Sequence, residues 1–301
     1  MSMNKSVLVT RARIIRSIRD FFEARGFLEV ETPLRIPANA PEEHIDPCVS
    51  GEMYLQTSPE ICMKRLLASG YDKIFQISRC WRSGERGNRH VPEFTMLEWY
   101  RADSDYLQLM RDCEDLLLHI AMQCNSTSTV CYNAKPIVLD KGYTAITVDD
   151  AFTRYGTVSM VESVNNGTFD YEMVTSIEPA LILDTPVILK DYPIEMAALA
   201  RPNENNPSVA ERFELYAGGM ELANGFSELN DSAVQRTRFE DANLRRIEAG
   251  LVPLPLPEPF LRELANMPPS AGIALGIDRL VMLFTDSSKI DDVVAFTPEQ
   301  L

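Results

Sequence analysis

Residues 73–101 read KIFQISRCWRSGERGNRHVPEFTMLEWYR. Apolar and polar residues alternate over about 73–82 and again over about 93–101, and the stretch between them is charged and contains glycine. Alternation with a period of two is typical of β-strands, whose successive side chains point to opposite faces of a sheet. The stretch therefore predicts a hairpin of two long strands joined by a loop over residues 83–90.

Helices and further strands are predicted on both sides of this hairpin. Apolar residues at three- and four-residue steps predict an amphipathic helix over 10–26 that begins after Thr10 and ends at Gly26. Residues 27–34 read as a strand that ends at a proline. The other predictions are helices over 58–70, 104–123 and 231–249, strands over 186–191, 212–230 and 272–275, and a helix from Gly276 through Phe284. Residues 125–180 show no clear pattern.

The order of these elements favours one fold class. Strands that follow one another in antiparallel style, with helices around them, predict an α+β fold in which an antiparallel β-sheet is flanked by helices. A length of 301 residues allows one large domain or two small ones. We predict a single domain over residues 1–301.

Composition excludes several classes of protein. The chain has 29 Lys and Arg against 44 Asp and Glu, a net charge of −15, which repels phosphate backbones and makes nucleic acid a poor default partner. No apolar stretch approaches the roughly 18 residues that a membrane helix needs. Six scattered cysteines without two-residue spacing, together with only three histidines, argue against a zinc site or a disulfide framework. Cysteines distributed in this way indicate a reduced, cytosolic protein.

One face of the second predicted strand has the chemistry of a binding site. The side chains that share this face are Phe94, Met96, Glu98 and Tyr100. An aromatic plate, a carboxylate and a phenol in one row suit a flat base at one end and an ammonium group at the other. Beside it Arg82 ends the first strand, next to a loop that carries Arg86, Arg89 and His90. An arginine there could clamp a phosphate, although an ordinary hairpin with a charged tip explains the same residues.

A second group of candidates lies further along the chain. Glu214 and Glu221 are separated by Gly218-Gly219, a sequence that suits a hairpin turn bringing the two carboxylates together. Such a pair suits Mg²⁺ held on nucleotide phosphates, and an acidic sheet edge facing water is the alternative. The side chains predicted to alternate on one face of the second strand are Asn224, Phe226 and Glu228. Parity puts Glu221 on the opposite face, so the arrangement needs a β-bulge, which we place at Gly225.

The third candidate stretch is AGIALGIDRL, residues 271–280. Gly276 is predicted to turn the strand into a helix, so that Arg279 lies in the first helical turn. A cation is unfavourable at the positive end of the helix dipole, so an arginine there implies a compensating anion. That anion is either Asp278 or a phosphate tail.

Together these stretches resemble the three motifs of the class II aminoacyl-tRNA synthetase catalytic domain, lysine subgroup. The first helix with Phe27–Pro33 resembles the dimer-forming first motif, Arg82 with PEFT 92–95 the second, and Gly272–Arg279 the third. The motifs occur in the family's order over about residues 10–296. Lysyl-tRNA synthetases carry an N-terminal OB-fold anticodon-binding domain, which we expect to be absent here, and they have glycine where this chain has Ala274. In both respects the chain resembles the elongation factor P–lysine lysyltransferase family.

The resemblance implies an ATP-dependent ligase. It would activate lysine or β-lysine to an aminoacyl-adenylate and transfer it to a lysine side chain of elongation factor P, with ATP and Mg²⁺ as cofactors. A cytoplasmic homodimer is expected, with no membrane contact and with tRNA as an improbable partner. The alternatives are a truncated lysyl-tRNA synthetase that charges tRNA and a catalytically impaired binding subunit. The second alternative is motivated by Gly84 and Val91, which stand where the family usually has glutamate and asparagine.

The resemblance also implies roles for individual residues. The catalytic pair would be Arg82 at the α-phosphate and Arg279 at the γ-phosphate, and Glu214 and Glu221 would ligate magnesium. ATP-binding residues would be Arg82, Glu85, His90, Phe94, Glu221, Leu222, Gly276 and Arg279. The amino-acid pocket would be formed by Ser58, Pro59, Glu60, Glu98, Tyr100, Asn224, Phe226, Glu228 and Ala274. Within it, Glu60 would approach one amino group, and the ε-ammonium would be surrounded by Glu98, Tyr100 and Glu228.

Overall fold

The computed structural model describes residues 5–301, so the first four residues of the predicted 1–301 domain lie outside the described range. Its helices are α1 (Lys5–Glu23), α2 (Glu60–Ala68), α3 (Tyr106–Asn125), α4 (Val148–Tyr155), α5 (Met160–Asn165), α6 (Phe169–Glu172), α7 (Ser232–Glu248), α8 (Glu258–Glu263) and α9 (Ile277–Thr285). Its strands are β1 (Leu28–Glu29), β2 (Arg35–Ile36), β3 (Val49–Ser50), β4 (Met53–Leu55), β5 (Lys73–Trp81), β6 (Glu93–Ala102), β7 (Thr129–Tyr132), β8 (Lys135–Val138), β9 (Thr144–Thr147), β10 (Val187–Pro193), β11 (Val209–Ala217), β12 (Met220–Ser227) and β13 (Ser270–Gly276).

An eight-stranded sheet in the order β1-β5-β6-β13-β12-β11-β10-β9 organises the molecule. The pairs from β5 through to β10 are antiparallel, and the two edge strands, β1 and β9, pair in parallel with their neighbours. Helices cover the sheet, so the predicted α+β fold with a helix-flanked antiparallel sheet is confirmed. No helix among residues 5–301 is both long and apolar enough to cross a membrane.

The predicted β5–β6 hairpin forms without interruption, from Lys73 opposite Arg101 to Trp81 opposite Glu93. On one face of the hairpin the rings of Phe75 and Trp99 pack against Phe22 of α1, with centroids 4.8 and 5.2 Å away. This apolar face anchors the hairpin to the helices. The opposite face, which carries Phe94, Met96, Glu98 and Tyr100, is therefore left to form a site.

The N-terminal elements differ from the sequence prediction. Helix α1 begins at Lys5, and Thr10 lies inside it, where its hydroxyl donates to the carbonyl of Ser6 at 3.1 Å. This i−4 bond satisfies the hydroxyl within a helix, so Thr10 is not the N-cap that we predicted. Gly26, with φ of +74°, closes the helical end as expected.

The strand predicted over 27–34 shrinks to Leu28–Glu29. Beyond Val30, whose amide still binds the Phe75 carbonyl at 2.9 Å, the chain leaves the sheet. The amide of Thr32 instead donates to the side-chain oxygen of Gln76 at 3.1 Å. A side-chain partner replaces the strand ladder at this point.

The strand predicted over 212–230 is in fact the hairpin β11–β12, turned at Gly218-Gly219 with φ of +59° and +73°. The register shifts between the pairs Leu215–Ala223 and Tyr216–Glu221, so Leu222 is the extra residue of a β-bulge. The predicted bulge exists, but its placement at Gly225 was wrong. Gly225 is regularly paired with Phe213 and lacks a side chain because a Cβ there would come within 2.9 Å of that ring.

From β9 onward, the region that showed no clear sequence pattern folds around a small core of its own, whereas its β7–β8 hairpin packs into the main core through Val130, Tyr132 and Ile137. It contains the β7–β8 hairpin, β9 and the short helices α4 to α6, followed by a π-helical turn at Met173–Ile177. The rings of Phe152 and Phe169 stack with centroids 5.2 Å apart. This core packs against β10 and completes the far edge of the sheet.

Candidate functional site

Two connected cavities lie on the sheet face formed by β6, β12 and β13. The outer cavity, of about 260 Å³, is lined among others by Arg82, Glu85, His90, Phe94, Glu221 and Arg279. The inner cavity, of about 100 Å³, is lined among others by Ser58, Glu60, Glu98, Tyr100, Phe226 and Gly272. The two share Glu42, Arg82, Met96, Asn224 and Ala274. A molecule can therefore span both.

Arg279, in the first turn of α9, is held at the wall of the outer cavity by Glu221, by His90 and by the carbonyl of Arg89, to which its Nε donates at 3.4 Å. Its Nη1 donates to the backbone oxygen and to Oε2 of Glu221, each at 3.0 Å. Its Nη2 lies 2.6 Å from Nε2 of His90. Because a guanidinium only donates, Nε2 of His90 accepts. Burial and the neighbouring Arg279 both lower the pKa of His90, which keeps the imidazole neutral.

Asp278 is not the counter-ion of Arg279, which was one of the two alternatives. It binds Arg11 of α1 at 2.6 Å and the amide of Thr95 at 2.7 Å. Its carboxylate therefore ties the first helix and strand β6 to the start of α9. Sequence reasoning missed Arg11, because nothing along the chain relates it to a residue 267 positions away.

Arg82 follows β5 and lies between the two cavities. Its guanidinium carbon is 5.2 Å from the centroid of the Phe94 ring, and its Nη1 is 3.7 Å from Glu85. Its buried Nε has no hydrogen-bond partner among the described residues. A buried donor without a partner is rare and marks a place for an acceptor that the protein does not supply. Arg82 thus has the features of an anion-binding residue.

The other loop arginines have structural partners. Arg86 binds Asp291 at 2.8 Å and Glu299 at 2.8 Å, which ties the loop to the C-terminal segment. For Arg86 the interpretation as an ordinary charged hairpin tip is correct. Arg89 lines the outer cavity and donates to the carbonyl of Gly219 at 2.9 Å.

Acidic side chains dominate the inner cavity. The carboxylate of Glu98 accepts from the hydroxyl of Ser58 at 2.5 Å and from that of Tyr100 at 2.8 Å. Behind them the ammonium of Lys64 lies 2.5 Å from Glu60 and 2.5 Å from Glu228. Sequence reasoning missed this fully buried lysine. Its spacing of four residues from Glu60 on α2 is the signal that could have revealed it.

The acids that line the inner cavity or lie directly behind it are Glu42, Glu60, Glu98 and Glu228, and its cations are Arg82 and Lys64. Burial and the nearby Glu60 raise the pKa of Glu98 to about 8. Burial raises the pKa of Glu228 to about 8 as well, although Lys64 opposes the shift. Oε1 of Glu228 accepts no hydrogen bond from the described residues. The inner cavity therefore favours the arrival of another cation.

Gly272 and Gly276 of β13 differ in whether the structure has room for a side chain. A Cβ on Gly272 would lie 2.2 Å from the Tyr100 ring and 2.4 Å from Oε1 of Glu228, so only glycine fits. Gly276 has φ of −74°, and a Cβ there would meet nothing nearer than 3.8 Å. The turn does not need a glycine, contrary to the reason we gave for it. What Gly276 provides is bare backbone at the wall of the outer cavity.

Sequence comparison places this geometry in a family. The profile of the tRNA synthetases class II (D, K and N) matches residues 2–300. The chain belongs to this family. It is 39% identical over 316 residues to the elongation factor P–(R)-β-lysine ligase of Hamiltonella defensa, covering 98% of this chain and 96% of that protein. It is 40% identical over 314 residues to the protein of that name from Sodalis glossinidius, covering 97% and 95%.

A lysine–tRNA ligase from Thiobacillus denitrificans is also similar, at 36% identity over 319 residues. That match covers 97% of this chain but 64% of that protein. The resemblance to class II synthetases of the lysine subgroup, and to the elongation factor P ligases among them, is confirmed. Enzymes of this class use ATP, and the two connected cavities are the place in this chain to look for its site.

Most residues assigned through the class II synthetase motifs come together. All the predicted ATP-binding residues line the outer cavity, namely Arg82, Glu85, His90, Phe94, Glu221, Leu222, Gly276 and Arg279. The predicted substrate residues that line the inner cavity are Ser58, Glu60, Glu98, Tyr100, Asn224, Phe226 and Ala274. Pro59 does not line it and instead precedes the first turn of α2. Glu228 lies behind Gly272, completely buried.

The predicted metal ligands have unequal positions in this class II synthetase chain. Glu221 lines the outer cavity. Glu214 lies behind it, 9% exposed, and accepts from Tyr192 at 2.7 Å and from Tyr216 at 2.6 Å. The alternative of an acidic edge facing water is therefore wrong for Glu214. Burial and Glu221 raise the pKa of Glu214.

Gly84 and Val91, the two positions where the chain departs from the family pattern, have different surroundings. Gly84 has φ of +76°, and a Cβ there would meet nothing within 4 Å. Val91 is 3% exposed and packs in the main hydrophobic core. Glu85, next to Gly84, is the acid that reaches Arg82 and the outer cavity.

Proposed function

We propose that the protein activates (R)-β-lysine with ATP and transfers it to a lysine side chain of elongation factor P. One observation carries the proposal: an inner cavity with four acids in or directly behind its wall, against the cations Lys64 and Arg82, opens into an outer cavity walled by arginines. The first suits an amino acid with a cationic side chain, and the second suits a triphosphate. The names of the relatives supply the amino acid and the acceptor protein.

Activation needs orientation and charge stabilisation and no protein nucleophile. The amino-acid carboxylate attacks the α-phosphorus of ATP, the P–O bond to pyrophosphate breaks, and an aminoacyl-adenylate forms. Arg82, with its unpartnered Nε, is placed to stabilise the negative charge that develops on the α-phosphate. Arg279 holds the far end of the triphosphate, and the half-buried Phe94 stacks on the base. Holding the two reactants side by side supplies much of the rate.

The acids of the inner cavity select for two ammonium groups. Glu98, Tyr100 and Glu228 surround the ε-ammonium, and Glu60 approaches the other amino group. Removing an ammonium from water costs several kcal/mol unless it is paired, so these acids favour a cation over a neutral side chain of equal length.

Magnesium fits beside Glu221, with Glu214 behind it. Burial and repulsion from Glu221 and Glu214 raise the pKa of Glu178 to about 7, so a cation here would relieve a cluster of acids. Among residues 5–301 no three acidic, histidine or cysteine side chains form a ready metal site. Mg²⁺ often uses one or two carboxylates and completes its shell with water and phosphate oxygens. When bound, it would neutralise charge on the phosphates.

We also propose a cytoplasmic homodimer, in which the first-motif segment forms the contact. Leu28 of that segment and Leu34, directly after it, are 51% and 42% exposed, and a second copy would bury them. Light scattering on the purified protein tests the assembly.

Exchange of pyrophosphate into ATP tests the first step. We expect exchange that depends on (R)-β-lysine more strongly than on lysine, and mass spectrometry should show elongation factor P gaining one β-lysyl group. The absence of exchange with either amino acid at any Mg²⁺ concentration, together with no ATP binding by calorimetry, would support the impaired-subunit alternative. Charging of total tRNA instead of the protein would favour the lysine–tRNA ligase alternative.

Binding of (R)-β-lysine should weaken as the pH falls from 8 to 6. The folded protein holds protons on Glu98 and Glu228 up to pKa values of about 8, against an ordinary 4.5, and binding an ammonium has to release them. Affinity should therefore fall by up to about tenfold per pH unit for each proton released. The folded protein holds more protons on Glu98 and Glu228 than the unfolded chain does over this range. The free energy of unfolding of the ligand-free protein therefore falls as the pH rises from about 5 to 8. Calorimetry at pH 6, 7 and 8 measures the affinity, and an unchanged value across this range contradicts the proposal.

A further inference from the structure

A third space, the side cavity, adjoins the two already described. It has a volume of about 180 Å³, and its lining includes Glu42, Glu43, Glu195, Leu199 and Arg245. Of the residues that line the inner cavity, Glu42, Leu199, Asn224 and Phe226 also line the side cavity. Two residues, Glu42 and Asn224, line all three cavities. Glu42 is thus the ionisable group at the point where the three spaces meet.

The carboxylate of Glu42 has no structural task that the fold requires. No described residue donates a hydrogen bond to it. Its backbone is nevertheless fixed, because its carbonyl accepts from Arg246 at 3.0 Å, and Arg246 also binds Asp46 at 2.6 Å. Arg82 and Glu60 are the charged groups that act on it most strongly. Glu42 therefore lies between the α-phosphate position and the amino-acid pocket.

We propose that the side cavity admits the acceptor lysine side chain and that Glu42 takes a proton from its ammonium group during aminoacyl transfer. This inference rests on the proposed function and extends it to the second step. A bound adenylate has its reactive carbonyl between Arg82 and the inner cavity. Of the residues shared by the outer and inner cavities, Glu42 is the only acid.

Each proton and bond change of the transfer step has a defined donor and acceptor. The acceptor ammonium gives one proton to the Glu42 carboxylate and becomes a neutral amine. Its lone pair attacks the carbonyl carbon of the adenylate, a C–N bond forms, and the C–O bond to the phosphate breaks. The second proton leaves the nitrogen as the amide forms and goes to the departing AMP phosphate.

The walls of the side cavity suit a lysine side chain. Ala197, Ala198 and Leu199 supply an apolar surface for its methylene groups, and a lysine buries such a stem readily while its charged end stays paired. Glu195 is exposed at this cavity, and Glu43 is paired with Arg245 at 2.7 Å. Arg212 also lines it, and its charge is paired with Glu214 at 2.6 Å. The volume far exceeds the roughly 10–15 Å³ that one water molecule needs.

The acidity of Glu42 agrees with this role. Burial raises its pKa to about 7, and Arg82 opposes that shift. A lysine ammonium has a pKa of about 10.4, so a base of this strength removes its proton more readily than an ordinary glutamate. A base with a pKa near the working pH is also the most effective.

Glu42→Gln tests the proposal by separating the two steps. We expect single-turnover transfer to elongation factor P at pH 7 to fall by about 10²-fold more than (R)-β-lysine-dependent pyrophosphate exchange. The defect should shrink as the pH rises toward 10, because the acceptor amine then loses its proton to water. Hydroxylamine, a nucleophile that is already neutral at pH 7, should capture the adenylate equally well in both proteins. Glu52→Gln, at an exposed position outside the cavities, is the matched control.

Other outcomes overturn the proposal in distinct ways. If exchange falls together with transfer, Glu42 binds the amino acid or ATP and is not the base. If transfer and its pH profile are unchanged, no proton passes through Glu42. Glu42→Asp, which keeps a carboxylate, should retain more transfer than Glu42→Gln, and equal loss in both contradicts a role as base. Failure of the proposed function itself would show separately, as absence of exchange in the unchanged protein.

Discussion

Arg82→Ala is expected to lower (R)-β-lysine-dependent pyrophosphate exchange by about 10³-fold, the upper range for removing one donor that stabilises transition-state charge. Arg82 lies where the two cavities join, and its buried Nε has no partner among the described residues. The loss should appear mainly in the maximal rate, because charge on the α-phosphate grows toward the transition state. Steady-state exchange at saturating ATP measures it.

Arg79→Ala is the matched control, since Arg79 lies on β5, just before Arg82, with a side chain that is 50% exposed and 3.8 Å from Glu93. Exchange by this variant should stay within about twofold, as for other surface pairs of little energetic weight. An Arg82→Ala protein that folds and retains exchange within tenfold would remove the arginine from the chemistry. Equal losses in both variants would indicate damage to the hairpin and not to the site.

Lys64→Met is expected to lower the free energy of unfolding by about 3–5 kcal/mol, the cost of removing one partner of a buried ion pair. The Lys64 side chain is fully buried between Glu60 and Glu228. Burial disfavours its charge, but Glu228 and Glu60 outweigh burial and raise the pKa of Lys64. Without the ammonium, three acids would face each other in a space with little water.

Thermal unfolding measures this change. A loss of 1 kcal/mol lowers the Tm of a domain of this size class by roughly 2–4 °C, so a fall of about 6 °C or more is expected at pH 8. The fall should be smaller at pH 6, because protonation of Glu98 and Glu228 then removes most of the repulsion. Lys73→Met, at an exposed position at the start of β5, should leave the Tm nearly unchanged. Similar Tm values for both variants would show that the ammonium of Lys64 does not stabilise the folded protein.

The part of the site that could be predicted lies on regular strands. Because β6 is a ten-residue strand without a bulge, its alternation placed Phe94, Met96, Glu98 and Tyr100 on one face correctly. At β12 the same reasoning could not locate the inserted residue that changes the alternation. Parity showed that a bulge had to exist, but not that Leu222 would form it. Glycine is common at β-bulges, which is why we chose Gly225. In the structure, close packing against Phe213 explains the glycine at this position instead.

The residues that sequence reasoning missed depend on distant partners or on irregular backbone. Lys64 looked like an ordinary helical lysine, because its second partner, Glu228, is on another strand. Glu42 lies between β2 and β3, where no periodicity assigns a face. Glu178 lies in the region without a clear pattern, and only its proximity to Glu221 gives it meaning. Such residues become visible only when the chain is folded.

The carboxylate of Asp278 has a mechanical consequence. It holds Arg11 of the N-terminal helix and the backbone of β6 at the same time, and its neighbour in the chain is Arg279. The ion pair between Arg11 and Asp278 therefore joins that helix directly to the segment that carries Arg279. In the proposed homodimer, a contact that displaces the first helix would thus act on the proposed nucleotide site through one buried ion pair.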